Sequence, residues 1–547
     1  MRRPVEGLIA VLGAAAVSAA TLWPALGRLG EALPGGWAAW GQGWGMARTR
    51  WALTGVEAPP VDGPVVLAGK LQLLTGALLS GAVSLPAAVT LTTWAWLAAG
   101  VLALYGVARA VGAGPVAAAA AAAVGGLNPA VLQAVHSGWL EWLGVPLVAL
   151  ALWGAASPEA GWRAPVVGGV AAGLAALCTP VFGVVTLMMA GWASLGAGGR
   201  RTAAVVGLGA AVAAPALWPW RHGAAMPRPM VEGLVAYVDP VDLAAPLWTW
   251  RAWGVHAGLA GLAALAGGLW LMRRHRGWVA ALGGAAALGV VLALGPEVAW
   301  GGIKLRLGGG AVPLPARLLQ LPLPPGTVLN WKIAMVPAMA AAGLLVARLP
   351  RRPAAGVLAL ALVEALALSG TCPTVDGRVP VAIAQLAEGE GTVLHLPIET
   401  GPESEGLNLR ALYFQAVHRR PLLTGMGPTW RSRLLADPLV VLAANAQAEE
   451  PRWAVPPAGP VSVLRDLGVT ALVLDRAPLG PGPLAVLDRL LTKACESPQR
   501  DLAGRVDLFH IPPGEPTGFP IEALPLAPVD QRPDRWLTPA EYLARWR

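Results

Sequence analysis

The most compact chemistry in this chain is a histidine and a glutamate that bracket one short turn. His136 and Glu141 flank a polar break, Ser137-Gly138, between two apolar runs. An imidazole and a carboxylate so placed can form one polar cluster, and the carboxylate also suits the positive end of a helix starting there. Trp37, Trp40 and Trp44 are spaced i, i+3, i+7. That spacing puts three indoles on one helix face, a stripe able to lie on a membrane, to stack on a sugar or to guide an isoprenoid chain. Other chemistry is scarce. There is no phosphate-cradling glycine loop, nucleophile elbow, paired Cys-x-x-Cys or His-Glu-x-x-His helix. The three cysteines have no metal-ligand spacing, although Cys372 and Cys495 could pair in an oxidising compartment.

The elements that must position these residues are apolar helices. The 547 residues are 55% hydrophobic and 13% charged, with 69 Gly and 51 Pro. Disorder and an ordinary soluble fold are both excluded by that balance. Apolar runs long enough to be candidate spans cover 7–26, 86–108, 114–127, 139–155, 164–177, 179–195, 202–218, 256–272, 278–294, 332–347 and 354–369. A polytopic α-helical membrane protein of about eleven transmembrane helices is the expectation. The 114–127 run is short, and Pro180 after Thr179 favours two helices over one long one in 164–195. The run 65–83 carries Lys70 and reads as an interfacial or re-entrant helix.

Charge placement tests this topology independently. Of the 40 basic residues 36 are Arg, and Arg2, Arg3, Arg109, Arg163, Arg200, Arg201, the 273–276 cluster, Arg348, Arg351 and Arg352 all fall on one side when the N-terminus is cytoplasmic. The loops 28–85, 219–254 and 296–331 and the chain beyond 371 then face outward. The start of the chain also carries a signal-peptidase-like stretch at Val17-Ser18-Ala19-Ala20, and an uncleaved first span is the expectation. Residues 1–371 hold 23 basic and 11 acidic side chains and 372–547 hold 17 and 20, so the net charge of +9 splits into a basic membrane part and a mildly acidic tail. The basic residues border spans rather than cluster on one face, which argues against nucleic acid. Two domains are expected: 1–371, transmembrane, with first outer loop 28–85, and 372–547, an extracytoplasmic soluble α/β domain. In the tail, β-rich runs at 392–397, 470–475 and 506–511 alternate with helical patterns at 408–417 and 483–494. An extended Pro-rich stretch, 512–533, and a terminal helix, 539–546, follow.

Several local patterns carry a resemblance. Leu127-Asn128-Pro129, His136-Ser137-Gly138 and Pro146-Leu147 lead from one span through a turn to the next; Val393-Leu394-His395-Leu396-Pro397, Tyr413-Phe414-Gln415, His418-Arg419-Arg420-Pro421 with Gly425, and Gly468-Val469-Thr470 mark the tail. With the order of elements, these resemble the GT-C superfamily of integral-membrane glycosyltransferases, in particular its bacterial YfhO-like branch. The resemblance implies an enzyme of the bacterial inner membrane, N-terminus cytoplasmic, that takes a sugar from a polyprenyl-phosphate donor and passes it to a glycan, lipid or protein acceptor at the extracytoplasmic face. It implies an acidic residue in the first outer loop, acting as base or metal ligand. No cofactor is required by it, and a divalent metal, Mg2+ or Mn2+, is allowed. The chemistry is coherent: an acceptor hydroxyl needs a carboxylate for its proton, and a leaving phosphate needs cations.

At the position where relatives commonly carry a Gly-Asp pair, this chain has Gly35-Gly36. Glu31, Asp62 and Glu57 are the remaining first-loop carboxylates and the catalytic candidates. For binding the donor and acceptor, the candidates are Arg48, Arg50, Arg221, Arg228, Arg251, Lys304 and Arg306, together with His136, Glu141, Trp37 and Trp40. An Arg fork matches phosphate geometry, and these cations sit where a positive-inside arrangement does not need them. Three functions are compatible: an active transferase, a catalytically degenerate relative acting as a scaffold or lipid-glycan binding subunit, and a transporter of lipid or glycan. Membrane lipids are partners in all three.

Overall fold

A computed structural model describes residues 2–61, 69–157, 161–221, 257–271, 274–297, 299–300, 303–304, 306–307, 310–320, 330–369, 372–397, 406–423, 453–454, 461–479, 481–500, 504–514 and 536–537. The chain is mostly helical and divides into two compact units. The first comprises 1–42 and 67–376; the second comprises 43–66 and 377–547.

The first unit is a helical bundle. Its helices are α1 (Arg2–Thr21), the start of α2 (Ala38–Thr54), α3 (Lys70–Leu79), α4 (Leu85–Ala110), α5 (Pro115–Gly126), α6 (Pro129–Ser137), α7 (Val145–Ala156), α8 (Arg163–Leu174), α9 (Pro180–Ser194), α10 (Gly199–Arg221), α11 (Gly258–Leu271), α12 (Arg276–Ala293), α13 (Met335–Val346) and α14 (Arg351–Ser369). Among the described residues, three helical segments are long and apolar enough to cross a membrane: α4, Pro180–Ala197 and α12. A fourth is the pair α5 and α6, bent by 44°.

The bend has a local cause. Asn128 accepts a hydrogen bond on its side chain from the Val131 N–H at 3.1 Å, and Pro129 takes the first helical position, where its missing N–H costs nothing. The short run at 114–127 is therefore the first half of a broken helix pair. The same device separates α8 from α9: Thr179 Oγ1 accepts from the Phe182 N–H at 3.1 Å, ahead of Pro180. Every residue of α13 is buried, so this helix is packed against protein all round. Its Gly343 meets α5 backbone to backbone; an added Cβ would stand 2.6 Å from the Ala121 carbonyl oxygen.

The first unit also holds a two-stranded antiparallel sheet that the sequence reading did not anticipate. Here β1 (Ala32–Pro34) pairs with β2 (Thr374–Asp376), Leu33 opposite Val375.

The second unit contains a four-stranded sheet in the order β5-β6-β4-β3, with β3 (Thr392–Leu396), β4 (Val469–Asp475), β5 (Gln499–Arg500) and β6 (Val506–His510). Strands β3 and β4 run parallel, Leu394 opposite Leu472, and β6 is antiparallel to β4. Leu394, Leu472, Leu474 and Phe509 join Leu487 and Leu491 of α16 (Pro481–Ala494) in the core; α15 (Gly406–His418) lies between β3 and β4 in the chain. Residues 43–66 of the first loop belong to this unit: the Leu422 N–H donates to the Pro60 carbonyl at 3.1 Å.

Two expectations change. The three tryptophans do not form one exposed face. Trp44 is 1% exposed and donates its indole N–H to Gln415 Oε1 at 2.9 Å, and Trp40 donates to the Asp376 carbonyl at 2.9 Å. These indoles are spent on protein packing and hydrogen bonds, because a buried indole N–H needs an acceptor. Among the described residues no disulfide is formed. The Pro-rich stretch beyond 514 and the terminal helix lie outside the described residues.

Candidate functional site

The first unit brings three sequence-distant segments to the turn between α6 and α7. The turn itself is His136, Ser137, Gly138 and a 3-10 turn, Leu140–Trp142, that carries Glu141. Gly35-Gly36 of the first loop lies on it. Gly35 has φ +94°, its N–H donates to the Pro373 carbonyl at 2.8 Å, and an added Cβ would fall 2.4 Å from the Val135 carbonyl oxygen. Only glycine meets both requirements. Gly36 differs, since its added Cβ would make ordinary contact, 3.5 Å from the His136 carbonyl oxygen. The position expected to hold an acid is thus beside the His136 turn.

Glu141 is half-buried and accepts a hydrogen bond from Gln42 Nε2 at 2.9 Å. Among the described residues it has no ion pair. From the other side comes Gly69, at the start of α3: its N–H donates to the Cys178 carbonyl at 2.6 Å, and an added Cβ would stand 3.3 Å from Glu141 Cβ. Three residues further, about one helical turn on, Gln72 donates from Nε2 to Cys178 Sγ at 3.4 Å. The Oε1 atoms of Gln42 and Gln72 are buried, and neither accepts a hydrogen bond from the described residues. A carboxylate and two amide oxygens with open lone pairs form an acceptor-rich cluster, suited to a ligand that donates hydroxyls.

The other site candidates are distributed as follows. Trp37 and Trp40 lie in the first unit at the start of the segment holding Gln42, both half-buried. Glu31 is exposed, just before β1. Glu57, Arg48 and Arg50 belong to the second unit; Glu57 and Arg50 are exposed, and the Arg48 guanidinium stacks over Trp44 at 5.1 Å. Arg221 ends α10. Lys304 and Arg306 lie in two-residue strands, paired with Ala299–Trp300 and Gly310–Ala311 respectively. Asp62, Arg228 and Arg251 lie outside the described residues. Among the described residues no three His, Cys, Asp or Glu side chains come close enough to hold a metal ion, so no step through a metal is derived. The sequence reading missed Gln42 and Gln72. The available signal was an amide in each of two otherwise apolar helical stretches.

The second unit has a polar core of its own. Gln415 ties Trp44 to the Pro60 and Arg420 carbonyls, each accepting from Nε2 at 3.1 Å. His418 accepts the Arg420 N–H on Nδ1 at 3.1 Å, and its ring stacks on His395 at 5.8 Å between centroids. Burial pushes both imidazoles down, His418 to about 3, with the Arg420 charge adding to the effect there; His418 and Arg410 charges add to it at His395. Both are neutral at pH 7, and among the described residues no carboxylate is oriented on either.

No family model matches the chain, and no curated protein matches it significantly. Solved structures do. The arabinofuranosyltransferase AftD from Mycobacteria aligns over 94% of this chain and 40% of its own, with TM-score 0.56 and 16% identity; its R1389S variant, in one class, aligns over 94% and 42% with TM-score 0.55 and 15% identity. The chain therefore spans well under half the length of the structures it matches. At this identity the likeness carries the fold alone.

Proposed function

We propose that this chain is a membrane glycosyltransferase that transfers a sugar from a polyprenyl-phosphate donor to a glycan, lipid or protein acceptor at the extracytoplasmic face of a bacterial inner membrane. The tail motifs favour the YfhO-like branch, and the likeness to an arabinofuranosyltransferase makes a pentofuranosyl donor the first to test. The observation that carries the reading is the acceptor-rich cluster of Glu141, Gln42 and Gln72 on the turn where Gly35-Gly36 docks. In the reaction the acceptor hydroxyl oxygen bonds to the anomeric carbon while the carbon–oxygen bond to phosphate breaks. The phosphate leaves with the electron pair, and Glu141 takes the hydroxyl proton. The outward Arg and Lys residues are the candidates to hold the phosphate charge.

The test is transfer of labelled sugar from a polyprenyl-phosphate pentofuranose to envelope glycan, by full-length protein in nanodiscs. Glu141→Gln should cut turnover by about 10²-fold or more, the range expected for loss of a general base, while Glu31→Ala and Glu57→Ala remain active. Full activity of Glu141→Gln with loss in Asp62→Ala moves the base back to the first loop.

A second reading rests on Gly36: a degenerate relative that binds lipid-glycan without turning it over. It predicts no transfer by the natural chain and retained glycan binding. Because the Gly36 site accommodates a Cβ, Gly36→Asp is a sterically fair test of whether an acid there creates activity.

A further inference from the structure

Along the whole of α5, with lining residues from Pro115 to Leu127, the first unit contains a cavity of about 780 Å³ between α1, α4, α5 and α14. Its walls are Ile9, Gly13 and Val17 of α1, Ala119 and Ala122 of α5, and Leu358 of α14, with further apolar residues. Among the described residues the polar ones lining it are Glu6 and Tyr105, together at one end. Water is a poor occupant, because a buried water needs two to four polar partners along such walls. An empty cleft would forfeit dispersion contacts along its whole length.

We propose that this cleft holds one acyl chain of a phospholipid from the leaflet at the Arg109 end. Three observations select that occupant. The first is length: lining residues on α1 run from Val5 to Val17, about 18 Å along a helix, close to the roughly 15 Å half-thickness of a bilayer core. The second is access. Leu8, Ile9 and Leu12 on α1 and Val363 and Leu366 on α14 are 59–65% exposed, so the helices that form the cleft already face the hydrocarbon. The third is charge at the mouth. Glu6 Oε1 accepts from Arg109 Nε at 2.6 Å and from the Tyr105 hydroxyl at 2.9 Å, and Arg109 also donates to Glu6 Oε2 at 3.1 Å and to the Ala113 carbonyl. A guanidinium spent in this way leaves a charge-compensated rim, suited to a zwitterionic headgroup and poorly suited to a bare lipid phosphate. The chain bound here is thus a structural lipid, wedged between α1 and the bundle, and separate from any donor substrate.

The test uses full-length protein in phosphatidylcholine nanodiscs doped with a phosphatidylcholine carrying a diazirine in mid-chain, followed by peptide mapping of the adducts. Adducts are expected on Val17, Ala119 and Leu358, besides the bulk-lipid adducts on Leu366. Gly13→Leu fills the cleft, since an added Cβ at Gly13 meets nothing within 4 Å. It should abolish the cleft adducts and leave those on Leu366 unchanged. Ala119→Leu narrows the cleft from the opposite wall and should do the same, which guards against misfolding of either variant; monodisperse elution certifies the fold. Cleft adducts that persist in both well-folded variants overturn the proposal. So does their displacement from the natural protein by equimolar polyprenyl phosphate, which would assign the cleft to an isoprenoid chain instead.

Discussion

Replacing Gly35 by alanine isolates the contact that brings the first loop onto the His136 turn. The residue sits at φ +94°, a conformation that costs a non-glycine residue about 1–3 kcal/mol. Its new Cβ would also overlap the Val135 carbonyl oxygen at 2.4 Å and the Gly138 nitrogen at 2.5 Å. Both are backbone atoms that cannot rotate away, so an overpacking cost of about 1–3 kcal/mol is added. A combined local penalty of about 3 kcal/mol corresponds to roughly a hundredfold rise in the open population of this contact. Hydrogen exchange on the protein in nanodiscs reads it directly: amides over 32–39, 134–139 and 374–376 should exchange about a hundredfold faster, while those of α13 stay protected. The control is one residue away. Gly36→Ala places its Cβ 3.5 Å from the nearest atom, with no positive φ to strain, and should shift exchange by no more than about 0.5 kcal/mol. Equal exchange in the two variants would refute the backbone-to-backbone docking of the loop.

Acid should destabilise the second unit. His418 has its pKa lowered from 6.5 to about 3 in the folded chain, so the unfolded state binds more protons between those values and stability falls as pH drops through that window. From pH 7.5 to 5 the loss for His418 is about 2 kcal/mol, with a further loss in the same direction from His395. Denaturant titration followed by exchange of the β3 and β4 amides checks it, and His418→Gln should flatten the pH dependence. Asn128→Ala removes the cap at the α5–α6 break and should cost about 1 kcal/mol, read as faster exchange confined to the first turn of α6. Arg410→Ala strips Asp475 of its ion pair in a site where the two side chains are 13% and 11% exposed; removing one partner of such a buried pair should cost about 3–5 kcal/mol, and Arg410→Ala with Asp475→Asn should recover much of it.

Features written in short stretches of sequence were legible. The Asn128-Pro129 and Thr179-Pro180 pairs mark helix breaks because a side-chain acceptor followed by proline is a local device that needs no tertiary partner. The tail runs at 392–397, 470–475 and 506–511 become β3, β4 and β6, since buried strands announce themselves as short β-branched and leucine-rich segments. The His136–Glu141 turn could be singled out for the same reason, as two titratable residues in an apolar setting. Gln42 and Gln72 could not, because an amide in a helix acquires meaning only from what it faces. Nor does the local sequence reveal the burial of the Trp44 indole, because its acceptor, Gln415, is 371 residues away.

By itself the sequence determined that the chain is a mostly helical membrane protein with a basic N-terminal part, an acidic tail of α/β pattern, and a scarcity of carboxylates. Periodicity, apolar length and charge bias are summed along the chain and survive without knowledge of contacts. Tertiary structure alone decided which helices are enclosed. The fully buried α13 and the exposed face of α1 are both apolar, so hydropathy cannot separate them. It also decided that Gly35, Gln42, Gly69 and Glu141 meet, because their contacts are made between backbones and amides whose partners are set by how distant segments close on one turn.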